Sequence, residues 1–452
     1  MTQSRPRSQP PVSGTQPQEA DVLRHTLRSA GYLKMLGFCA LIGVPVSLAA
    51  FWFLVALHEL EHALWADLPH AWGWDAPPWW WPLPLLLVAG TAVGLVVTHL
   101  RGGGGHIPAS GLHTGGASPA ALPGILLAAV AALPFGAVLG PEAPLMALGG
   151  GLALLFRDLA QAPATPQGTA LVGAAGAAAA ISAIFGNPLV AAVLLIEVAG
   201  VGGPQLFAVM LPALLSTGVG SLVFTGLGRW TGLATGDLSL ELSVPVPRLD
   251  GADVLWSVVI AVALAAALHP VLAAARAVAA YVTARPFVRT VLCALGAAVC
   301  AALYALVTGR APDEVAASGQ ATLAALAADP HAWGVGTLLA VLLFKGAAYA
   351  LCLGGLRGGP VFPALFLGAV AGVLLAPLPG LGIVPAMAAG MAAGAAGTLR
   401  LPVSSVVLVI LLLGGTAMMP VVILAAVVAF VVTELLPVGA SAPAVPAEPP
   451  AR

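Results

Sequence analysis

Charged side chains are almost missing from this chain, and that scarcity limits its fold more than any motif does. They make up 8% of the sequence, against 60% hydrophobic residues. A water-soluble surface draws on roughly 25% charged residues, so 452 residues with a mean hydropathy of +1.00 cannot build one. The composition excludes a soluble globular enzyme, a nucleic-acid-binding protein and a disordered chain. It leaves a polytopic membrane protein whose outer face meets lipid. A net charge of −1 gives no global field, so ionic chemistry has to be local. Cys39, Cys293, Cys300 and Cys352 lie in apolar runs without a CxxC pair and read as small core residues, neither disulfides nor metal ligands.

Residues 1–31 are polar and lack the early apolar core of a cleavable signal peptide. Residues 1–17 read as disordered. Leu23, Arg24 and Arg28, at helical spacing, predict a helix lying along the membrane surface over 18–31. Arg5, Arg7, Arg24, Arg28 and Lys34 precede the first apolar run, which places the N-terminus in the cytoplasm. The Pro/Ala-rich stretch 437–452 is expected to be a short disordered cytoplasmic tail, with no soluble domain at either end. Between the ends the reading is a first membrane repeat at 32–236, a loop at 237–251 and a second repeat at 252–436. Apolar segments run near 32–57, 82–98, 120–139, 143–156, 168–198, 205–227, 252–282, 287–307, 336–353, 361–377, 382–398, 402–418 and 420–437. A straight crossing takes about 20 residues; several of these segments are shorter, and Gly or Pro interrupts many. Trp72, Trp74, Trp79, Trp80 and Trp81 cluster after the first segment, as an interfacial aromatic belt does.

The two halves echo each other. GPEAPLMALGG at 140–150 matches GPVFPALFLGA at 359–369, which sets Pro144 against Pro363 at an offset of 219. GNPLVAAVLLIEVAG at 186–200 matches LRLPVSSVVLVILLLGG at 399–415, which sets Pro188 against Pro402 at an offset of 214. Internal repeats with Gly/Pro-broken helices mark transporter-like folds whose site lies at the repeat interface. The predicted fold is therefore an all-α polytopic membrane protein of two inverted-topology repeats with broken and re-entrant helices.

The breaks carry the chemistry. Gly140-Pro141-Glu142-Ala143-Pro144 lies inside an apolar region, and Pro suits the first turn of a helix. A helix N-terminus offers unpaired amides and roughly half a positive charge, a ready anion site. Arg357-Gly358-Gly359-Pro360-Val361-Phe362-Pro363 supplies a second such start, and Gly103-Gly104-Gly105-His106-Ile107-Pro108 a third loop leading into a short helix. Three starts converging at mid-membrane would bind a small anion without a full positive charge, which would hold the ion too tightly for turnover. A carboxylate there costs about 2.5–3.5 kcal/mol or more unless compensated. Glu142 would be compensated by sitting in the anion site itself as a tethered surrogate. It would swing away on protonation or displacement, acting as gate and proton carrier together.

These residues resemble the CLC family of chloride channels and proton-coupled chloride antiporters. GGHIP at 104–108 is similar to the family's GSGIP loop, GPEAP at 140–144 to GREGP, GGPVFP at 358–363 to GGIFAP, FGNPL with LLIE at 185–197 to the FNAPL helix, and AGMAAGAAGTLRLP at 389–402 to the late helix. The likeness covers roughly residues 20–436. It implies that Glu142 is the gating glutamate and that Gly104, Gly105, His106, Ile107, Gly140, Val361 and Phe362 form the anion path. It also implies a homodimer in the cell membrane with one pore per subunit, both termini cytoplasmic, chloride or a similar small anion as substrate and no cofactor. Apolar faces around 176–198 and 384–415 are the expected dimer contact.

Three departures bear on mechanism. Gly105 stands where the family has Ser, Pro360 has no N–H and leaves Val361 and Phe362 as donors, and the last helix ends near Glu434 without the family's Tyr. Where the antiporters place a proton-passing Glu this chain has Val198, one residue after Glu197. The resemblance thus points to passive conduction with weak proton coupling. Glu197 is left either as part of a water or proton path or as a structural cap, and the alternative function is a proton-coupled chloride, fluoride or nitrate antiporter. Glu142 could also be held only by its own helix amides, and the glycines of the breaks could serve packing. Lys345 reads as snorkelling or paired, and Arg157 with Asp158 as interfacial anchors.

One rival belongs to another class. His58-Glu59-Leu60-Glu61-His62 satisfies HExxH, in which two His on one helix face bind zinc and the Glu acts as base. Pro245, five residues before Asp250-Gly251, resembles the third-ligand motif of intramembrane metalloproteases. Leu242 stands where that motif needs Asn, and the Asp-Gly lies in a polar loop. The expectation is no enzyme and no metal.

Overall fold

A computed structural model describes residues 24, 27–112, 117–162, 165–200, 204–233, 240, 242 and 247–437. Most of the surface helix expected over 18–31, most of the 237–251 loop and the tail beyond 437 lie outside them.

Helix α1, Ala30–His62, runs on through a π turn at Ala63–Asp67 to Ala71. It is followed by α2 (Pro82–His99), α3 (Leu122–Ala132), α4 (Glu142–Leu159), α5 (Pro166–Phe185), α6 (Pro188–Ala199) and α7 (Pro204–Thr231). The second half holds α8 (Gly251–Thr283), α9 (Pro286–Thr308), α10 (Gln320–Ala328), α11 (Val335–Gly355), α12 (Val361–Leu375), α13 (Ile383–Leu399), α14 (Pro402–Leu412) and α15 (Met419–Leu435). Among the described residues, seven spans are long and apolar enough to cross a bilayer, and six helices are shorter apolar pieces. Proline repeatedly opens a helix, as at Pro82, Pro166, Pro188, Pro286 and Pro402, where its missing N–H costs nothing. The apolar run 168–198 is two helices because Gly186 adopts φ +61° and Asn187 caps α6 on the Leu189 amide.

The sequence offsets reappear as packing. α4 lies along α5 as α12 lies along α13. A Cβ on Gly149 would meet the Gly176 carbonyl oxygen, and one on Gly176 the Gly149 carbonyl oxygen; Gly368 and Gly390 stand in the same mutual contact. Gly149 to Gly368 is an offset of 219, and Gly176 to Gly390 one of 214. Backbones this close gain dispersion contacts that any side chain would remove, which is how helices associate where no hydrophobic force separates lipid from Leu. The halves therefore share one helix-pair design.

The stretch 309–334, which hydropathy leaves blank, is built around charge. Arg310 forks onto Glu314 (Nη2 to Oε1 2.6 Å), lies over the Trp333 ring at 4.4 Å, and Tyr304 donates its hydroxyl to Glu314. Asp313, outside the spanning helices, is pushed above the usual carboxylate range by burial. Lys345 on α11 is fully buried, so it does not snorkel. Its Nζ donates to the carbonyls of Glu314, Val315, Ala316 and Ala317 at 3.0–3.3 Å and sits 4.9 Å from the Phe366 ring. Lys345→Met is expected to leave these carbonyls without a donor at a cost of about 3 kcal/mol, read as a fall of several degrees in the Tm of the detergent-solubilised protein.

The Trp cluster forms a network of edge-to-face pairs and one tilted pair, Trp80 with Trp81, with ring centroids of Trp72, Trp74, Trp80 and Trp81 5.5–5.8 Å apart. Trp81 and Trp65 donate their indole N–H groups to the carbonyls of Leu64 and Pro134.

Candidate anion site

Two helix starts meet head to head. The Gly140 amide donates to the Gly359 carbonyl at 2.7 Å and the Gly359 amide to the Gly140 carbonyl at 2.5 Å, an antiparallel bridge between the repeats. Each bridging glycine precedes a proline, Pro141 or Pro360, that has no N–H to give. α4 and α12 begin one residue later, so their free amides point into the same enclosed space.

The Glu142 side chain occupies that space. It is completely buried, its Oε1 accepts from the Phe362 amide at 3.1 Å, and the amides of Val361 and of Glu142 itself also face it. Its Oε2 has no hydrogen-bond partner. A Cβ on Gly140 or on Gly359 would fall on the Glu142 carboxylate. Neither glycine needs an unusual backbone; both are fixed by the space the carboxylate takes. A negative group seated on the N-terminus of the opposite repeat's helix is in the arrangement that favours an anion. The structure brings together Gly140, Glu142, Val361 and Phe362, with Phe185 packed on Phe362 at 6.1 Å between ring centroids.

The third loop depends on its glycines. Gly102, Gly103, Gly104 and Gly105 all have positive φ, and Gly105 lies at φ +98°, ψ −172°, a region open essentially to glycine alone. Backbone shape thus accounts for a glycine at position 105. His106 and Ile107 are half-buried and lead into a short 3-10 helix, Pro108–Ser110, ended by Gly111 at φ +88°, so the helix expected there is a single turn.

Two side chains to which the sequence assigns no role hold the breaks in position. Arg357 is buried, and its Nε donates to the Gly103 carbonyl at 3.2 Å and its Nη1 to the Leu356 carbonyl at 3.1 Å. A full positive charge therefore does sit among the breaks, turned onto carbonyls and clamping the Gly102–Gly105 loop to the start of α12. Tyr349 on α11 is buried and donates its hydroxyl to the Pro360 carbonyl at 2.7 Å, within electrostatic reach of Glu142. A buried Tyr eleven residues before Pro360 is the signal that could have pointed to it.

Glu197 is a cap. Its carboxylate accepts from the Val403 amide at 2.9 Å, the Ser404 amide at 2.7 Å and the Ser404 hydroxyl at 2.6 Å, which covers the N-terminus of α14. Val198 is half-buried against the core. Among the described residues the metalloprotease motif does not assemble. His62 pairs with Asp67 at 3.3 Å, and Asp250 with Asp253 forms the capping box that starts α8. Among the described residues no three of His, Cys, Asp and Glu gather as metal ligands; Pro245 lies outside those residues.

Broken helices paired across two repeats around a buried carboxylate define a membrane protein of the channel and transporter class. The chain belongs to the voltage gated chloride channel family, whose model matches residues 109–434. It is 34% identical over 157 residues to the Salmonella newport (strain SL254) protein named "Putative ion-transport protein YfeO", an alignment covering 34% of this chain and 37% of that one. The chain thus spans little more than a third of the length of the curated relatives it matches. In fold it is similar to a slow cyanobacterial Cl-/H+ antiporter (TM-score 0.73, 17% identity, 89% of this chain and 94% of that one). It also resembles a CLC-type fluoride/proton antiporter (TM-score 0.66, 19% identity, 90% and 97%).

Proposed function

We propose that this chain moves chloride or a similar small anion across the membrane, with Glu142 as a gate that competes for the anion's own seat. The observation that carries the reading is the Glu142 carboxylate lodged on the Val361 and Phe362 amides, where helix dipole and free N–H groups favour any anion of that size. A carboxylate with one oxygen unpartnered is held less completely than a cap such as Glu197, which suits a group that leaves. Chloride efflux from liposomes, followed with an ion-selective electrode, tests the reading; the absence of efflux above protein-free vesicles would end it.

Conduction is passive in this reading. Glu197 is committed to α14 and Val198 cannot carry a proton, so no acid on that stretch is left for a relay. The competing reading, proton-coupled exchange, is favoured by the two structural relatives described as antiporters. A pH gradient imposed on chloride-loaded liposomes separates them. The reversal potential is expected to stay at the chloride value, whereas a potential that follows the pH gradient establishes exchange.

The assembly is a homodimer, with both termini in the cytoplasm. Residues 176–185 and 384–397 are already buried within the subunit, so the expected contact narrows to α6 and α14, which pack on each other and expose Leu189 and Val403 at 52% and 57%.

A further inference from the structure

The connection from α3 to α4 carries Glu142 into its seat, and Pro134, Gly136, Val138 and Gly140 along it are each held from elsewhere in the chain. The Pro134 carbonyl accepts from the Trp65 indole on α1 at 2.9 Å, and the Gly136 carbonyl from the Ala317 amide at 3.0 Å. The Val138 amide donates to Cys352 Sγ on α11 at 3.4 Å, and Gly140 is bridged to Gly359. Gly136 has φ +102°, and a Cβ there would strike the Trp65 ring. A segment between helices takes its shape from such partners, so their positions decide where Glu142 starts.

The Ala317 pin depends on Lys345. Ala317 lies at φ +59°, a left-handed backbone that glycine enters freely and a residue with a side chain rarely adopts. Its carbonyl is one of the four, 314–317, that converge on Lys345 Nζ. Carbonyl oxygens aimed at one point repel one another unless a cation sits there, so the ammonium holds the turn in its strained form. Glu61 of α1, Asp313 and Glu314 lie within electrostatic reach of that ammonium. Lys345 also stands one turn before Tyr349 on α11, which holds the Pro360 carbonyl. One lysine is thus tied to both helix starts of the seat, to α4 through Ala317 and to α12 through α11.

We infer that Lys345 is a positioning residue for Glu142: by imposing the left-handed turn at Ala317 it fixes Gly136, and with it the connection that sets the carboxylate on the Val361 and Phe362 amides. The role rests on the proposed gate. Without the ammonium the four carbonyls spread, Ala317 relaxes out of the left-handed region and its amide leaves Gly136. The connection loosens, and the carboxylate meets the α12 amides less well. Its charged form loses stabilisation, so protonation and release occur at a higher pH.

Deuterium uptake over residues 133–143 of the full-length detergent-solubilised protein, and chloride efflux from liposomes against pH, test the role in Lys345→Met. Exchange over 133–143 is expected to speed up about tenfold while α13 stays as protected as before. The pH of half-maximal efflux should rise by about one unit, a tenfold change in the protonation equilibrium. Adding Ala317→Gly lets the turn form without the lysine, so the double variant should regain most of both losses. With Glu142→Gln present, Lys345→Met should leave efflux flat with pH. Where Lys345→Met does not fold, Ala317→Val breaks the same pin with the lysine in place, because a β-branched residue resists the left-handed backbone, and the same two shifts are expected. An unchanged efflux midpoint overturns the role, as does exchange that rises alike in every helix or a double variant that regains nothing. Faster exchange confined to 133–143, in a protein whose efflux never depended on pH, leaves the lysine's hold on the connection standing and removes the gate instead.

Discussion

Glu142→Gln is expected to raise chloride efflux at neutral pH about tenfold, because a group tethered one side chain from its seat competes at an effective concentration well above that of the bulk ion. The amide keeps the shape of the carboxylate and loses the charge that the α12 amides attract. In the unaltered protein, protonation is expected to have the same effect, with efflux rising as the pH falls. In the variant nothing is left to titrate at that position, and efflux becomes flat across the same range. Glu142→Ala should behave alike, since both substitutions remove the competitor and neither touches the Val361 and Phe362 donors. Ion-selective electrode recordings at several pH values are enough, and a variant whose efflux still climbs on acidification would falsify the gate.

The parts of this molecule that were legible in the sequence are those that local chemistry specifies. Charge scarcity gives the membrane, and Gly-Pro pairs inside apolar runs give the breaks. The two offsets give the correspondence between halves, down to Gly149 with Gly368 and Gly176 with Gly390. Glu142 stands out because an acid in an apolar repeat needs compensation nearby. What stayed hidden depends on where long side chains land after folding. Arg357 lies within a recognised break, yet only the folded chain shows it turned 254 positions back onto Gly103. Lys345 looks like a lysine reaching for the interface until the 314–317 carbonyls are found around it. Glu197 reads equally as relay or cap, and the α14 amides that decide its geometry are more than 200 positions away. HELEH is the converse case. Its local pattern is complete, and a metal centre needs distant ligands that do not converge among the described residues.

Gly359→Ala is expected to have the second large effect, and its sign depends on Glu142. The new methyl would overlap the Glu142 carboxylate and come within 3.2 Å of the Ala143 amide nitrogen. Overpacking of a close-packed site costs about 1–3 kcal/mol, and here the only yielding partner is the carboxylate, since the Gly140–Gly359 bridge fixes both backbones. The carboxylate is therefore driven off the α12 amides, and the variant opens at neutral pH as Glu142→Gln does. Combining Gly359→Ala with Glu142→Ala removes the principal clash and leaves the tighter but tolerable approach to Ala143. The two substitutions should thus be strongly non-additive in efflux and in Tm, with a coupling of about 1–3 kcal/mol, because residues in direct contact do not act independently. Gly358→Ala is the control: its methyl would press on Leu133 and Leu139, away from the carboxylate. It should lower Tm without changing the pH dependence of efflux. Additive effects of Gly359→Ala and Glu142→Ala would mean that the carboxylate does not rest on Gly359 in the membrane, and the competition for the anion seat would have to be abandoned.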